Sequence, residues 1–363
     1  MAWRARARGL TVVLLDRGAL GAQTTAVAAG MLAPVSEADA QERALTRLGL
    51  ESARRWPAFA AELADVSGID VGYRASGTLV LARDRDEAEG LGRELALREQ
   101  LGLAARELLP SQARRLEPAL APGLRAALEI PGDHAVDPRL VAAALAVAAE
   151  RAGVTLRPHT AVARLLTDEG RVTGVALEEG EDVLAAQVVI AAGPWSDALD
   201  GVPPDARVPV RPVKGQLLRL RDPGHDPRAP LLTRVVRYDG GYIVPRGDGR
   251  YVLGATSEER GFDTSVTALA LHELLRDASE LVPGVLELEV EELLAGLRPG
   301  TPDNAPVLGA SAALRGLFWA TGHHRNGVLL APATGELLAA ALAGEADDTA
   351  TEFSPGRFSE VTA

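Results

Sequence analysis

An apolar segment that ends in an acidic residue lies close to the start of the chain, where residues 9–18 read G-L-T-V-V-L-L-D-R-G. An apolar strand followed by a carboxylate, here Asp16, is typical of the second strand of a Rossmann βαβ unit, where the acid binds ribose hydroxyls. A G-x-G-x-x-G loop should lie about 20 residues before this acid, and the sequence contains none there. The segment therefore predicts an α/β dinucleotide-binding domain whose first strand and glycine loop are absent.

Residues 1–8 resemble the end of the helix that such a glycine loop opens. The first strand of a Rossmann unit is central in its sheet, and the loop delivers backbone amides to the pyrophosphate. We therefore expect the natural reading frame to extend upstream by roughly 15–25 residues that encode both features.

Composition narrows the function classes. The 363 residues suffice for two domains, and the net charge of −12 opposes nucleic-acid binding, which needs a positive surface. Because the chain has no cysteine, disulfides, cysteine-ligated zinc, iron–sulfur clusters and a thiol nucleophile are excluded, and redox chemistry would need a bound cofactor. No run of about 18 apolar residues and no charged-then-apolar leader is present. We expect a cytoplasmic protein with no membrane partner.

Two later segments return to the Rossmann-type pattern. Residues 187–196 read as a buried strand that runs into a glycine turn, and residues 318–335 read as a strand, a polar loop and a helix start. The predicted fold is therefore α/β, with a discontinuous Rossmann-type dinucleotide-binding domain and a mixed α/β substrate domain. The predicted dinucleotide-binding domain comprises residues 1–70, 132–203 and 300–363, and the substrate domain comprises residues 71–131 and 204–299.

Local patterns predict individual elements. Apolar residues at helical spacing predict an amphipathic helix after residue 40, and Asp137-Pro138 predicts a helix start. Gly247-Asp248-Gly249 joins two strand-like segments, which favours a hairpin turn over a dinucleotide loop. Pro299-Gly300 predicts a sharp turn, and the tail after Asp347 is expected to fray. The apolar stripe of the amphipathic helix consists of Leu45, Leu48, Trp56, Phe59 and Leu63.

Six motifs carry a resemblance to a known family. They are T-T-A-V-A-A-G-M at 24–31, V-K-G-Q at 213–216, Y-I-V-P-R at 242–246, G-A-T at 254–256, A-G-L-R-P-G-T at 295–301 and G-H-H-R-N-G-V-L-L-A-P-A-T-G at 322–335. With these motifs the chain resembles the glycine oxidase branch of the D-amino-acid oxidase family of FAD-dependent amine oxidoreductases over nearly its whole length. The resemblance implies a bound FAD, and the absence of cysteine rules out a cysteine-linked flavin.

The resemblance also implies where FAD and the substrate would bind. Asp16 and Arg17 would lie at the adenosine ribose, and Val162 would meet the adenine through its backbone. Arg298 and Tyr242 would hold the substrate carboxylate, with Arg325 beside them. The other residues implied to contact FAD are Thr24, Thr25, Ala29, Gly30, Met31, Gly193, His323, His324, Arg325, Asn326, Gly327, Val328 and Leu329.

The residue types implied at the substrate end suit an amino acid. The planar guanidinium of Arg298 can pair with a carboxylate through two hydrogen bonds, and the hydroxyl of Tyr242 can add one directional bond. Without the motifs, such an arginine is more often an ion-pairing surface residue, and such a tyrosine is more often packed on a sheet face. Hydride transfer from a neutral amine needs positioning more than a strong acid or base.

His323-His324 suggests a metal site as an alternative. Adjacent residues of a strand point to opposite faces, and no carboxylate lies close to them in the sequence, whereas a metal needs several convergent ligands. We therefore expect no metal there.

The leading functional hypothesis is an FAD-dependent oxidase that converts glycine, sarcosine or a small D-amino acid to the imine, with dioxygen yielding hydrogen peroxide. The imine would supply thiazole formation in thiamine synthesis. One alternative is a D-amino-acid or imino-acid dehydrogenase that passes electrons to a quinone, and another is a truncated, cofactor-free remnant. We expect a small amino acid and dioxygen as partners, no nucleic acid, and assembly into a homo-oligomer.

Overall fold

An eight-stranded mixed sheet dominates the structure, a computed structural model that describes residues 1–345 and 352–358. Its strands come from two separate parts of the chain, residues 78–130 and residues 211–300. Neighbouring strands are antiparallel except where the two parts meet in one parallel pair. In spatial order the strands are β16 (Glu289–Gly300), β12 (Arg211–Arg221), β15 (Arg250–Gly254), β14 (Gly241–Pro245), β13 (Val235–Tyr238), β3 (Thr78–Ala82), β5 (Ala126–Ile130) and β4 (Arg106–Leu108).

Two of the smaller sheets contain parallel pairs, as the Rossmann-type prediction requires. One consists of β1 (Val13–Leu15) and β7 (Thr155–Arg157), and the other of β11 (Val188–Ile190), β18 (Leu317–Thr321) and β17 (Val307–Ala310). Strands β1 and β7 run parallel, as do β11 and β18. The remaining sheets are antiparallel: β8 (Val162–Asp168), β9 (Arg171–Leu177) and β10 (Val183–Leu184) form one, and β2 (Met31–Leu32) and β6 (His134–Ala135) form the other.

Strand β1 is shorter than the predicted segment at residues 9–18. Gly9, just after the end of the first helix, has a φ of +86°. A carboxylate oxygen of Asp16 accepts a hydrogen bond from the backbone N–H of Gly18 at 2.9 Å. The Asx turn ends the strand after Leu15, and the left-handed Gly9 belongs to the end of the first helix rather than to the strand.

Helices cover the sheets. In the described part of the chain they are α1 (Ala2–Ala7), α2 (Thr24–Val27), α3 (Arg43–Ser67), α4 (Arg85–Gln100), α5 (Pro110–Leu116), α6 (Pro138–Arg151), α7 (Ala268–Leu281) and α8 (Gly327–Leu342). Within residues 1–345 and 352–358, no helix combines the length and the apolar character needed to cross a membrane.

Helix α3 confirms the predicted amphipathic helix, because all five residues of its stripe are buried. It also holds the first turns of α8. The side chains of Ser52 and Trp56 both donate to the carbonyl of Leu329, at 2.7 and 2.9 Å, and the backbone of Ala333 donates to Ser52 at 3.3 Å. These bonds stabilise a helix whose own ladder is interrupted by Pro332.

Two further local predictions are confirmed. The side chain of Asp137 accepts a hydrogen bond from the backbone of Arg139 at 3.0 Å, and α6 begins at Pro138. The segment around Gly247 and Gly249, both with φ of +85°, joins the antiparallel strands β14 and β15 as a hairpin.

Two local predictions are wrong. No sharp turn occurs at Pro299-Gly300, because β16 continues to Gly300 and pairs with β12 throughout. Strand β16 lies at the sheet edge, where a proline without an N–H is tolerated. The tail does not fray over residues 352–358, since Phe353 is buried and Arg357 pairs with Asp303 at 2.8 Å. The rest of the tail after Asp347 lies outside the described residues.

The two faces of the eight-stranded sheet have different neighbours. Leu218, Ile243 and Leu253 belong to an apolar core that includes the buried face of α7. Residues of the opposite face, such as Leu217 and Val244, pack near residues 27–31. That second face is turned toward the parts of the chain predicted to bind the dinucleotide. The predicted domain boundaries stay a prediction.

Candidate active site

A cavity of about 1130 Å³ lies between the eight-stranded sheet and helices α2, α6 and α8. Pockets for small ligands usually measure about 300–1,000 Å³, so this cavity has room for a ligand of dinucleotide size beside a small substrate. Small residues predominate along one side of it. They are Gly21, Ala28, Ala29, Gly30, Ala142, Ala146, Ala149, Ala191, Gly193, Ala331 and Gly335.

Arg298 and Tyr242 project into this cavity from the same face of the sheet. The guanidinium of Arg298 extends from β16 over Gly215 on β12, where a Cβ atom would lie 2.5 Å from Nη2. Tyr242 on β14 is directly opposite Gly254 on β15, where a Cβ atom would lie 2.8 Å from the tyrosine oxygen. Because neither glycine has a side chain, the side chains of Arg298 and Tyr242 can lie flat on the neighbouring strands. This explains the glycines of V-K-G-Q and G-A-T.

The charge of Arg298 is available to a ligand. Its Nη1 donates to the carbonyls of Thr256 at 3.2 Å and Lys214 at 3.4 Å. In the described part of the chain, no carboxylate lies within 4.0 Å of this guanidinium. Burial raises the pKa of the Tyr242 hydroxyl, and the positive charge of Arg298 opposes this shift without cancelling it. A neutral hydroxyl donor therefore lies beside a half-buried guanidinium, an arrangement suited to a carboxylate.

The segment after β18 supplies three more side chains to the cavity: His323, His324 and Arg325. The two histidines do not lie in a strand, as the sequence suggested, because β18 ends at Thr321 and a 3₁₀ helix begins at His324. Burial lowers the pKa of each histidine to about 4, and nearby arginines contribute at His324. Both are therefore neutral at pH 7. Among the described residues, no group of three or more side chains is placed to hold a metal.

Comparison with known proteins decides the family. The family model described as FAD dependent oxidoreductase (DAO) matches residues 1–341. This chain belongs to that family. The resemblance to the D-amino-acid oxidase family and the α/β fold predicted from the sequence are thereby confirmed.

Individual relatives agree with the family assignment. A glycine oxidase of Geobacillus kaustophilus is 38% identical over 347 residues, which cover 95% of this chain and 89% of that protein. The crystal structure of glycine oxidase from Geobacillus kaustophilus matches with a TM-score of 0.90 at 36% identity, covering 98% of this chain and 94% of that one. A bifunctional protein ThiO/ThiG of Trichormus variabilis is 35% identical over 333 residues, and this chain spans only about half of it, 49%.

The family implies FAD, and two glycines of the cavity lining suit such a ligand. Gly193, with a φ of +56°, leaves open space where a Cβ would stand. Gly30, with a φ of +80°, packs so closely that a Cβ would lie 2.2 Å from the carbonyl of Val136. The open position at Gly193 lets backbone groups approach a ligand directly, and the glycine at position 30 lets this segment pack against the backbone of Val136. The residues implied to contact FAD that line the cavity are Asp16, Thr24, Thr25, Ala29, Gly30, Met31, Gly193, His323, His324, Arg325, Asn326, Gly327 and Val328.

The motif T-T-A-V-A-A-G-M is held in place from two sides. The hydroxyl of Thr24 donates to the carbonyl of Leu297 at 2.8 Å, which ties α2 to β16 beside Arg298. The buried guanidinium of Arg246 donates to the carbonyls of Ala29, at 2.7 Å, and Val136. The arginine of Y-I-V-P-R thus positions the small-residue segment that faces the cavity.

Three residues implied to contact FAD do not line the cavity. The guanidinium of Arg17 lies 4.0 Å from the ring centre of Trp195, which in turn stacks on Phe262 at 6.0 Å. Val162 is the first residue of β8 and contributes to a separate apolar core. Leu329 is 3% exposed and packs in the core between α3 and α8.

Two charged residues of the cavity were missed by the sequence analysis. Glu37 follows β2 and lies close enough to raise the pKa of Tyr242, though less than burial does. Arg237 on β13 is directly opposite Tyr242. The sequence does hold a signal for Arg237. Asp239-Gly240 is typical of a two-residue hairpin turn, and such a turn places Arg237 opposite Tyr242 on the neighbouring strand. The sequence around Glu37 holds no comparable signal.

Proposed function

We propose that this protein is an FAD-dependent oxidase that converts glycine or another small amine to its imine and forms hydrogen peroxide. The observation that carries the proposal is the pairing of Arg298 and Tyr242 above two glycines, in a cavity large enough for a dinucleotide as well. The family membership and the glycine oxidase relatives support the same chemistry.

The chain's own residues bind and orient the substrate. Arg298 donates two hydrogen bonds to the carboxylate in a bidentate pair, and the Tyr242 hydroxyl donates a third. The neutral histidines His323 and His324 add no positive charge at the reacting end. FAD, when bound, supplies two-electron oxidation of the carbon–nitrogen bond, and dioxygen takes up the two electrons and two protons as hydrogen peroxide. Positioning by the carboxylate clamp is the main contribution of the protein.

We propose that the cofactor is held non-covalently along the small-residue wall. The Asp16 carboxylate would bind the ribose hydroxyls through the oxygen that is not engaged by Gly18. Arg17 would act on the adenosine end from outside the cavity, since its guanidinium stacks on Trp195. The roles given above to Arg325 and to the other FAD-contacting residues belong to the same proposal.

The imine is proposed to supply the thiazole ring in thiamine synthesis, in the cytoplasm. The ThiO/ThiG relative supports this role. This chain matches about half of that bifunctional protein, 49%, so the matching part is joined to a second part in one polypeptide. A homo-oligomer is also proposed. Its support is the exposed apolar pair Val290 and Leu293 on the edge strand β16, since uncovered edge strands favour pairing with another chain.

A peroxide assay tests the proposal and separates it from its alternatives. The FAD-loaded protein should form hydrogen peroxide in air with glycine, sarcosine or D-alanine, and catalase should abolish the signal. Electron transfer to a soluble quinone without peroxide would favour the dehydrogenase alternative. A purified protein that does not take up FAD at all would favour the cofactor-free remnant.

A further inference from the structure

The floor of the substrate cavity continues past Tyr242. Across neighbouring strands the same sheet face carries Arg298, Gly215, Gly254, Tyr242 and Arg237, in that order. Arg237 lines the cavity on the far side of Tyr242 from Arg298. We propose that Arg237 forms a second anion-binding subsite, which recognises an acidic group several bonds from the reacting carbon of the amine. This inference rests on the proposed function, because it extends the same cavity.

No carboxylate lies within 4.0 Å of the Arg237 guanidinium in the described part of the chain, although burial raises the pKa of the Asp133 carboxyl and the positive charge of Arg237 opposes this shift. The one side-chain hydrogen bond of Arg237 there is from Nη1 to the carbonyl of Ser36, at 2.7 Å. Arg139 and Arg83, which do not line the cavity, are paired with Glu292 and Glu87, each at 2.6 Å. Arg298 and Arg325, which line it, share with Arg237 the lack of such a partner among the described residues. A partly desolvated guanidinium with free donors favours an anion that enters beside it.

The bond to Ser36 does not by itself explain Arg237. The buried Arg98 also donates to the Ser36 carbonyl, at 2.7 Å. The carboxylate of Asp133 accepts from the backbone of Val35 at 3.0 Å and of Ser36 at 2.8 Å. The turn is therefore already held by Arg98 and Asp133, so the Arg237 side chain has donors to spare.

Both acidic and basic side chains line this part of the cavity. On helix α4, Glu87 is paired with Arg83, and Glu94 is paired with Arg98 at 3.2 Å. Glu37 lines the cavity near Tyr242. Arg298, Arg237 and Arg325 line the cavity with no carboxylate within 4.0 Å in the described part of the chain, and the exposed Asp86 and Asp239 line it as well. A ligand with two carboxylates and one ammonium group can pair with both signs of charge.

The spacing also fits such a ligand. The Arg298 guanidinium lies over β12, and Arg237 projects from β13, three strand spacings away. Strands lie about 4.8 Å apart, so the two sites are separated by roughly 14 Å of floor. Charge-assisted hydrogen bonds of about 2.8 Å at each end close only part of this distance. A ligand that reaches both guanidiniums therefore carries its second acidic group several bonds from the first, and D-glutamate suits the cavity better than D-aspartate.

Matched acid and amide substrates test the charge recognition. For the FAD-loaded protein, kcat/KM is measured with D-glutamate against D-glutamine and with D-aspartate against D-asparagine, with glycine as the short reference. The acid should be preferred over its amide. Arg237→Gln should lower the acid-to-amide ratio about tenfold or more while changing kcat/KM for glycine less than about twofold. Arg237→Lys should retain part of the ratio. Arg93→Gln, on the exposed side of α4, removes one positive charge away from the cavity and should leave the ratio unchanged.

A binding measurement separates this inference from the proposed function. Glutarate and its monoamide, which cannot be oxidised as amines, are titrated into the FAD-loaded protein by calorimetry. Glutarate should bind about tenfold or more tightly than the monoamide, and Arg237→Gln should abolish the difference. Loss of all amine oxidation with this binding pattern intact would refute the oxidase and leave the subsite standing. Normal glycine oxidation would overturn the subsite alone if Arg237→Gln changed neither the acid-to-amide ratio of kcat/KM nor the difference in affinity between glutarate and its monoamide.

Discussion

The guanidinium of Arg298 lies directly over Gly215, two residues along β12 from the position that pairs with Arg298. Any Cβ at position 215 would stand 2.5 Å from Nη2 and 2.6 Å from Nη1. The arginine therefore keeps its place only because the neighbouring strand has no side chain there. A glycine of the sheet is thus part of the proposed carboxylate clamp.

Replacing Gly215 with alanine should displace the Arg298 guanidinium and weaken substrate binding. We expect Gly215→Ala to raise KM about tenfold or more, since a hydrogen bond to a charged group is worth roughly 1.5–3 kcal/mol, while FAD content stays normal. Steady-state kinetics and the visible flavin spectrum measure both quantities. Gly92→Ala is the control, because a Cβ at this exposed helical position meets nothing within 4 Å. Equal kinetics for the two variants would contradict the role of Gly215.

Removing the guanidinium itself should have a larger effect. Arg298→Ala leaves the substrate carboxylate without its bidentate partner, so kcat/KM for glycine should fall about tenfold to a hundredfold or more. Arg298→Lys should restore only part of the loss, because an ammonium group cannot make the planar fork. Wild-type kinetics in the alanine variant would remove Arg298 from the site.

Tyr242→Phe tests the hydroxyl while keeping the ring. We expect a higher KM, with a cost of about 0.5–3 kcal/mol in kcat/KM, and unchanged flavin content. The ring at position 242 packs against Gly254 whether it is tyrosine or phenylalanine, so folding should not be affected. A variant that keeps its KM but loses FAD would move Tyr242 from the substrate end to the cofactor shell.

Stability should fall on the acid side of neutrality because His323 and His324 are buried in neutral form. Their pKa values are lowered to about 4, whereas unfolded histidine titrates near about 6.5. Between these values the unfolded chain binds protons that the folded chain does not, so the stability present above about pH 6.5 is lost as the pH falls toward 4. Urea denaturation at several pH values measures this.

The matched variants for this test are His324→Asn and His272→Asn. His324 has a φ of +45°, which asparagine tolerates well, so the first variant should flatten the pH dependence of the unfolding free energy. His272 is exposed on α7 and controls for the loss of a histidine. An identical pH dependence in both variants would show that His324 is not a source of the acid sensitivity.

Local chemistry explains which parts of the fold could be predicted. The stripe of α3, the cap at Asp137 and the hairpin at Gly247 depend on neighbouring residues, and all three are confirmed. The order of the eight-stranded sheet joins β13 to β3 across more than 150 residues, and no local pattern encodes that contact. Strand continuity through Pro299 was missed for the same reason, because it depends on pairing with a distant strand.

The site divides in a similar way. Motifs identified Arg298 and Tyr242, and the structure brings them onto one face, but the glycine floor between them follows only from strand register. Leu329 lies next to cavity residues in the sequence, yet its side chain turns into the core. Glu37 enters the cavity from a turn whose position is fixed by Asp133 and Arg98, contacts that sequence alone does not reveal.

Anaerobic mixing with glycine tests the central claim most directly. The protein is loaded with FAD and mixed with glycine in the absence of oxygen while the visible flavin absorbance is recorded, and air is then admitted. We predict that glycine bleaches the flavin, that air restores the colour with about one hydrogen peroxide per flavin, and that Arg298→Ala slows the bleaching about tenfold or more. A flavin that stays oxidised with glycine, sarcosine and D-alanine alike would contradict the account.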